Sequence, residues 1–372
     1  MSRLLEESYG IRDWDTFRRT LERCDERELA QEPPLTDCKG DAAECKGQAQ
    51  EKVKKTLARL TVQLDAERTS RPEVAPDFIA TVDLYVRLFP TDADAPKMAK
   101  GSILAETDDS QKIGKIKAIL AHPTLKLPAD DTFLLKETLV SLYQKQKAHA
   151  EAASVAGDLA TSSPKAKDRR RFRFVHASEL YDAGKTEESL PHFEALAKAN
   201  PGDDIGRKSA MLVVRTLGEK KDYAGAVKAS NAWLGSVNTR DKSLAASKEY
   251  KAVNEVKSRA QYEHAVELGP KPEALAIFKK YCFAQTFTPQ SCDNAKSLAV
   301  KLKDYDTLLA ILKLEKKDEE IAVIYESNGY FRKAAAYQGG KLKKDSATGD
   351  YLKVALLYEI AGANADQKRV LK

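Results

Sequence analysis

The sequence predicts an all-α chain of stacked helical hairpins, and three observations predict it. Apolar residues recur at three- and four-residue spacing between breakers, without the alternation of a half-buried strand. Long Ala/Leu/Lys/Glu-rich stretches separate only 18 Gly and 14 Pro in 372 residues, a composition that favours helix over strand. A helical-hairpin pattern also returns along the chain, clearest in residues 174–201, 322–338 and 355–362. With 42% hydrophobic residues the chain can bury a substantial core. It is longer than the range over which one compact core persists, so two subdomains or one elongated solenoid are expected.

In chain order, Trp14, Phe17, Leu21 and Leu29 predict a helix over 14–31, ended by Glu32-Pro33-Pro34. Val53, Leu57, Leu60, Val62 and Leu64 predict a second over 41–68, and the two form an N-terminal hairpin or cap spanning 1–71. After the break at Pro72–Pro76, Phe78, Val82, Tyr85 and Phe89 form a core-facing stripe. Helices follow over 93–106, 110–121 and 130–145, joined at His122-Pro123-Thr124 and Leu127-Pro128-Ala129. A repeat phase is readable from Tyr143: Ala152, Ala156 and Pro164 occupy the positions later held by Ser189, Phe193 and Pro201. Small side chains there let helices approach closely, and the proline ends the second helix. A pair over 205–233 takes its turn and packing alanine from 221–227, and 242–268 is longer and less regular. Repeat helices thus span 72–268. The C-terminal block, 269–372, continues with helices over 273–283, 289–302 and 305–314, then with Tyr325, Gly329, Phe331, Ala334, Ala355, Tyr358 and Gly362 in register.

Within 174–201, Ala177, Gly184, Phe193 and Pro201 fall at the small, turn, aromatic and terminating positions of a repeat of about 34 residues. This pattern resembles the tetratricopeptide repeat family over roughly 130–235 and 316–372. The resemblance implies a right-handed α-solenoid superhelix that binds proteins or peptides along a groove. Inner-face positions of each first helix make the ligand contacts in that family. Carried onto this chain they are Phe174, Ser178 and Tyr181, then Lys208, Met211 and Arg215, and later Glu319, Val323 and Glu326. The Lys/Asn/Arg set that clamps a peptide carboxylate in such repeats is absent here, which speaks against chaperone docking.

The 62 basic and 56 acidic side chains leave +6 spread over the molecule, too dilute to indicate nucleic acid. The first residues, Met1-Ser2-Arg3-Leu4-Leu5-Glu6-Glu7, lack the apolar run of a signal peptide, and nowhere do about 18 uninterrupted apolar residues occur. No membrane span is expected. The chain stops shortly after Gly362, where another repeat helix is due, so an excised fragment is expected.

Enzyme motifs are missing. The sequence contains no dinucleotide-binding Gly-x-Gly, no phosphate loop and no Gly-x-Ser-x-Gly elbow. The five histidines never stand three or four apart, which excludes a zinc-protease helix while leaving open ligands brought from distant helices. Asp108-Asp109 and Asp318-Glu319-Glu320 sit at helix starts, where negative charge meets the macrodipole, and read as capping rather than general acids. No cofactor is expected.

The sharpest charge feature is Lys165-Ala-Lys-Asp-Arg-Arg-Arg-Phe-Arg173. Arg169, Arg171 and Arg173, with Phe174, would form a recognition edge for an acidic peptide, a phosphate-rich polymer, a lipid headgroup or peptidoglycan. The alternative is a solvated helix face. Cysteines bear on the compartment. Cys38 and Cys45, and Cys282 and Cys292, are spaced to bridge turns, which favours an oxidising, periplasmic location over the cytoplasm. Buried reduced thiols are the other reading, and Cys24 lies outside both pairs.

These readings converge on a non-enzymatic scaffold in a multiprotein, bacterial cell-envelope assembly. The alternative is the helical superstructure of a larger enzyme, such as a lytic transglycosylase, whose catalytic domain lies outside this chain.

Overall fold

The computed structural model describes residues 1–24, 38–238, 241–284 and 290–371, and every regular element among them is helical. The backbone divides into two compact units, Met1–Asn200 and Pro201–Lys372.

Unit 1 contains α1 (Ser2–Gly10), α2 (Trp14–Arg23), α3 (Ala42–Glu67), a 3₁₀ turn at Pro72–Val74, α4 (Ala75–Leu88), α5 (Ala95–Ala105), α6 (Asp109–Leu120), α7 (Ala129–Lys145), α8 (His149–Ser162), α9 (Ala166–Asp182) and α10 (Thr186–Ala199). Unit 2 contains α11 (Asp204–Glu219), α12 (Tyr223–Ser236), α13 (Lys242–Ala246), α14 (Lys248–Leu268), α15 (Pro272–Phe283), α16 (Gln290–Lys301), α17 (Tyr305–Leu314), α18 (Asp318–Ser327), α19 (Phe331–Gly339), α20 (Thr348–Ile360) and α21 (Asn364–Val370). Within each unit helices pack mainly on their neighbours in the chain.

The first core gathers Leu5 of α1, Phe17 and Leu21 of α2, Leu57, Leu60 and Leu64 of α3, and Phe78, Val82 and Tyr85 of α4. The 1–71 segment therefore shares its interior with the helices that follow it. α1 was not anticipated from the sequence, because one short stretch with Leu4 and Leu5 carries little periodicity. Tertiary burial of Leu5, which is fully inaccessible, holds it in place. The helix expected to reach Gln31 instead stops at Arg23, with Cys24 extended, and 25–37 lie outside the described residues. The irregular 242–268 segment is two helices, broken where extended Ser247 caps α14 through a bond from the Tyr250 N–H to its hydroxyl. Further along, Val140, Ala156, Leu159 and Phe172 build a hairpin core in unit 1, as do Phe278, Ala295, Ile311 and Ile321 in unit 2.

One connection recurs. At Arg12, Lys147, Gly184, Lys221, Lys303, Lys316, Gly329 and Gly362 the backbone turns left-handed. The N–H of that residue bonds the carbonyl three back, and the next N–H bonds the carbonyl five back, as in Lys221 to Gly218 (3.0 Å) and Asp222 to Leu217 (2.9 Å). This satisfies carbonyls orphaned at the first helix's end and aims the chain into the second. In three copies the left-handed basic residue precedes an Asp N-cap and an aromatic: Arg12-Asp13-Trp14, Lys221-Asp222-Tyr223 and Lys303-Asp304-Tyr305. Those aspartates accept the N–H of Thr16, Gly225 and Thr307. The first hairpin thus uses the same joint as the later ones. Gly184, at φ +78° with open space where a Cβ would stand, matters here through its backbone angle. Gly184→Ala should cost about 1–2 kcal/mol in urea denaturation, and an unchanged midpoint would refute that account.

Candidate functional site

The basic run lies on α9, and much of it is engaged within unit 1. The Arg169 guanidinium donates to the carbonyls of Ser163 and Pro164, both at 2.7 Å, closing the end of α8. Arg170 reaches the Leu196 carbonyl of α10 at 3.5 Å. Arg171 pairs with Glu137 of α7 at 2.7 Å and lies over the Phe172 ring at 4.3 Å. Arg173 is exposed. Charge reversal at Arg169 would therefore disturb a helix end as well as a surface.

Arg173 borders a histidine pair. His176 and His192 meet edge to face, their centroids 4.9 Å apart, and His176 Nδ1 donates to the Ala153 carbonyl at 2.8 Å. Desolvation, His176 and Arg173 push His192 below its ordinary value of 6.5. The unfolded chain therefore takes up this proton first, so His192 makes stability fall as pH drops below about 6.5, levelling once the lowered value is passed. NMR titration should place the His192 midpoint below 6.5, and His192→Gln should remove that part of the pH dependence. A midpoint at or above 6.5 would overturn it.

Of the family-derived inner-face positions, Phe174 is half-buried against Phe193, centroids 5.9 Å apart. Ser178, Tyr181 and Met211 are also half-buried, and Arg215 is exposed and pairs with Glu219 at 2.8 Å. Among the apolar members Val323 stands out, 59% exposed on α18. It borders a groove of about 480 Å³ between α18, α19 and α20, lined also by Asp318, Glu319, Tyr337, Lys341 and Lys353. Tyr337 and Lys341 both bond Asp318, which lowers the Asp318 pKa and pushes Tyr337 up to about 12. Beside this groove, α20 buries Val354, Leu357 and Tyr358 but leaves Leu352, Leu356 and Ile360 each more than half exposed. Four-residue spacing puts these three on one ridge, which the sequence reading did not single out because α20 is apolar on every side.

In unit 1 a second groove, about 860 Å³, follows α3 past Glu6, Glu51, Lys55 and Arg59. Its charges neutralise one another: Arg59 and Thr56 both donate to Glu6.

Disulfides join Cys38 to Cys45 and Cys282 to Cys292, the second tying α15 to α16. Thiol titration of the denatured protein should therefore find four fewer thiols before reduction than after. Replacing Cys282 and Cys292 by Ala should destabilise unit 2 by about 2–4 kcal/mol. Equal thiol counts in protein from its native compartment would contradict both bridges. Among the described residues no helix is long and apolar enough to cross a membrane.

No protein-family model matches the chain, and no curated protein matches it.

Proposed function

We propose that this chain is a non-enzymatic, tetratricopeptide-like scaffold that holds a protein or peptide partner in a cell-envelope assembly. The observation that carries the reading is the ridge of Leu352, Leu356 and Ile360, beside the groove that Val323 borders. Exposed aliphatics in contiguous rows, rimmed by charge, mark protein interaction surfaces, and amphipathic partner helices pack such rows at four-residue spacing. Repeated hairpin joints and packing between chain neighbours support a solenoid, whose stacked repeats present extended faces of this kind. The two disulfides support an oxidising compartment such as a bacterial periplasm.

The test is capture of partners from the source organism's envelope fraction on the full chain, run beside Val323→Asp and Leu356→Asp. Both substitutions replace exposed side chains and should leave circular dichroism unchanged. A partner retained by the native chain and lost with either variant supports the reading. Partners retained equally by all three chains, or none retained at all, would defeat it.

A further inference from the structure

We propose that His149, Glu179 and Asp182 form a binding site for one divalent transition-metal ion, at the end of unit 1's hairpins where the α7–α8 and α9–α10 turns meet. The proposal is independent of the partner-binding reading.

Two of the recurrent turns build the place. Left-handed Lys147 ends α7 and sets His149 as the first residue of α8, while left-handed Gly184 ends α9 just beyond Asp182. Packing of α8 along its chain neighbour α9 brings the start of one beside the end of the other, so residues some thirty positions apart form one cluster. His149 Nδ1 lies 2.8 Å from one Glu179 oxygen, and the ligand atoms of all three residues fall within 4.8 Å of one another. Glu179 is only 5% accessible and Asp182 is exposed, so the cluster has a buried floor and an open side.

Glu179 is the unusual member. A carboxylate removed from water needs both hydrogen bonds and compensating charge. Its hydrogen bonds come from the Gln144 amide, at 2.7 Å on one oxygen, and from the His149 ring on the other. Gln144 supplies a hydrogen bond but no charge. A divalent ion seated between Nδ1, the second Glu179 oxygen and an Asp182 oxygen would bring positive charge onto this buried carboxylate. Coordination through Nδ1 requires the tautomer with its proton on Nε2. Gln144 would remain on the outer Glu179 oxygen, orienting the ligand as outer partners of metal sites do.

One imidazole nitrogen with two carboxylates suits zinc, cobalt or manganese better than calcium or magnesium, which prefer all-oxygen shells. Three protein ligands also leave coordination positions for water on the Asp182 side.

The experiment titrates chelator-treated full-length protein with Zn²⁺ by equilibrium dialysis and with Co²⁺ by visible absorption. One equivalent of each should bind, with Co²⁺ showing ligand-field bands that carry an imidazole contribution. Asp182→Asn alters an exposed side chain and should fold normally, yet it should weaken binding at least about 10-fold. His149→Gln should do the same and change the Co²⁺ spectrum, and Gln144→Ala should weaken binding about 10–100-fold by releasing Glu179. Glu188→Gln, on exposed surface of α10, should change nothing. No stoichiometric binding, or equal affinity in Asp182→Asn and the native chain, would mean an adventitious ion only and would overturn the site.

Discussion

Truncating Phe193 to alanine should lower the stability of unit 1 by about 3–5 kcal/mol. Phe193 on α10 is fully inaccessible and meets Phe174 of α9 edge to face. It is the largest fully buried side chain of α10, larger than the buried Ser189 and Leu196 on the same helix. Removing the ring forfeits its transfer free energy and leaves a cavity that two rigid helices cannot readily collapse. Hydrogen exchange in the full chain should show the loss as faster exchange across α9 and α10. A cost below about 1 kcal/mol would show that the two helices do not depend on this contact.

Arg18→Ala should be nearly as damaging, about 3 kcal/mol. Asp77 lies in the first turn of α4 with its carboxylate almost wholly buried, and Arg18 of α2 grips it through two bonds of 2.6 and 3.0 Å. Water reaches Arg18, whose side chain is 46% exposed, but Asp77 is only 2% exposed, so losing the guanidinium strands a buried charge. Arg18→Lys should recover only part of the loss, because an ammonium cannot reproduce the two-pronged contact. The double variant Arg18→Ala/Asp77→Ala should cost less than the two single losses added, since neither charge is then orphaned. Trp14, packed on Phe17 one turn from Arg18, reports unfolding by fluorescence in a Trp233→Phe background. Additive losses would show that the two side chains do not act as a pair.

Legibility differed from element to element. The stripe of Phe78, Val82 and Tyr85 was readable because helical period and burial coincide there, and all three are core residues. The turns at Gly184, Gly329 and Gly362 were readable because glycine adopts φ above zero without steric cost. The turn within 221–227 was placed from its segment, but the left-handed residues at Arg12, Lys147, Lys221, Lys303 and Lys316 were not, since lysine and arginine carry no such signal. The cue that was present is the basic-Asp-aromatic triplet, which joins a left-handed residue to an N-cap. α20 was expected as a repeat helix, but its exposed ridge was invisible in a segment apolar all round.

For the candidate sites the balance is different. A run of arginines is conspicuous in sequence, yet Arg169 and Arg171 find a carbonyl pair and Glu137 inside their own unit. His149, Glu179 and Asp182 are inconspicuous in sequence, and they converge because α8 packs along α9, setting the start of one beside the end of the other. By itself the sequence determined helical character, the breakers and the small and aromatic packing positions, because these follow from interactions within a few residues along the backbone. Only the tertiary structure decided which helix ends meet, which charges are consumed in holding them, and which apolar rows stay exposed. Those outcomes depend on contacts between side chains tens of residues apart, where neither spacing nor composition carries information.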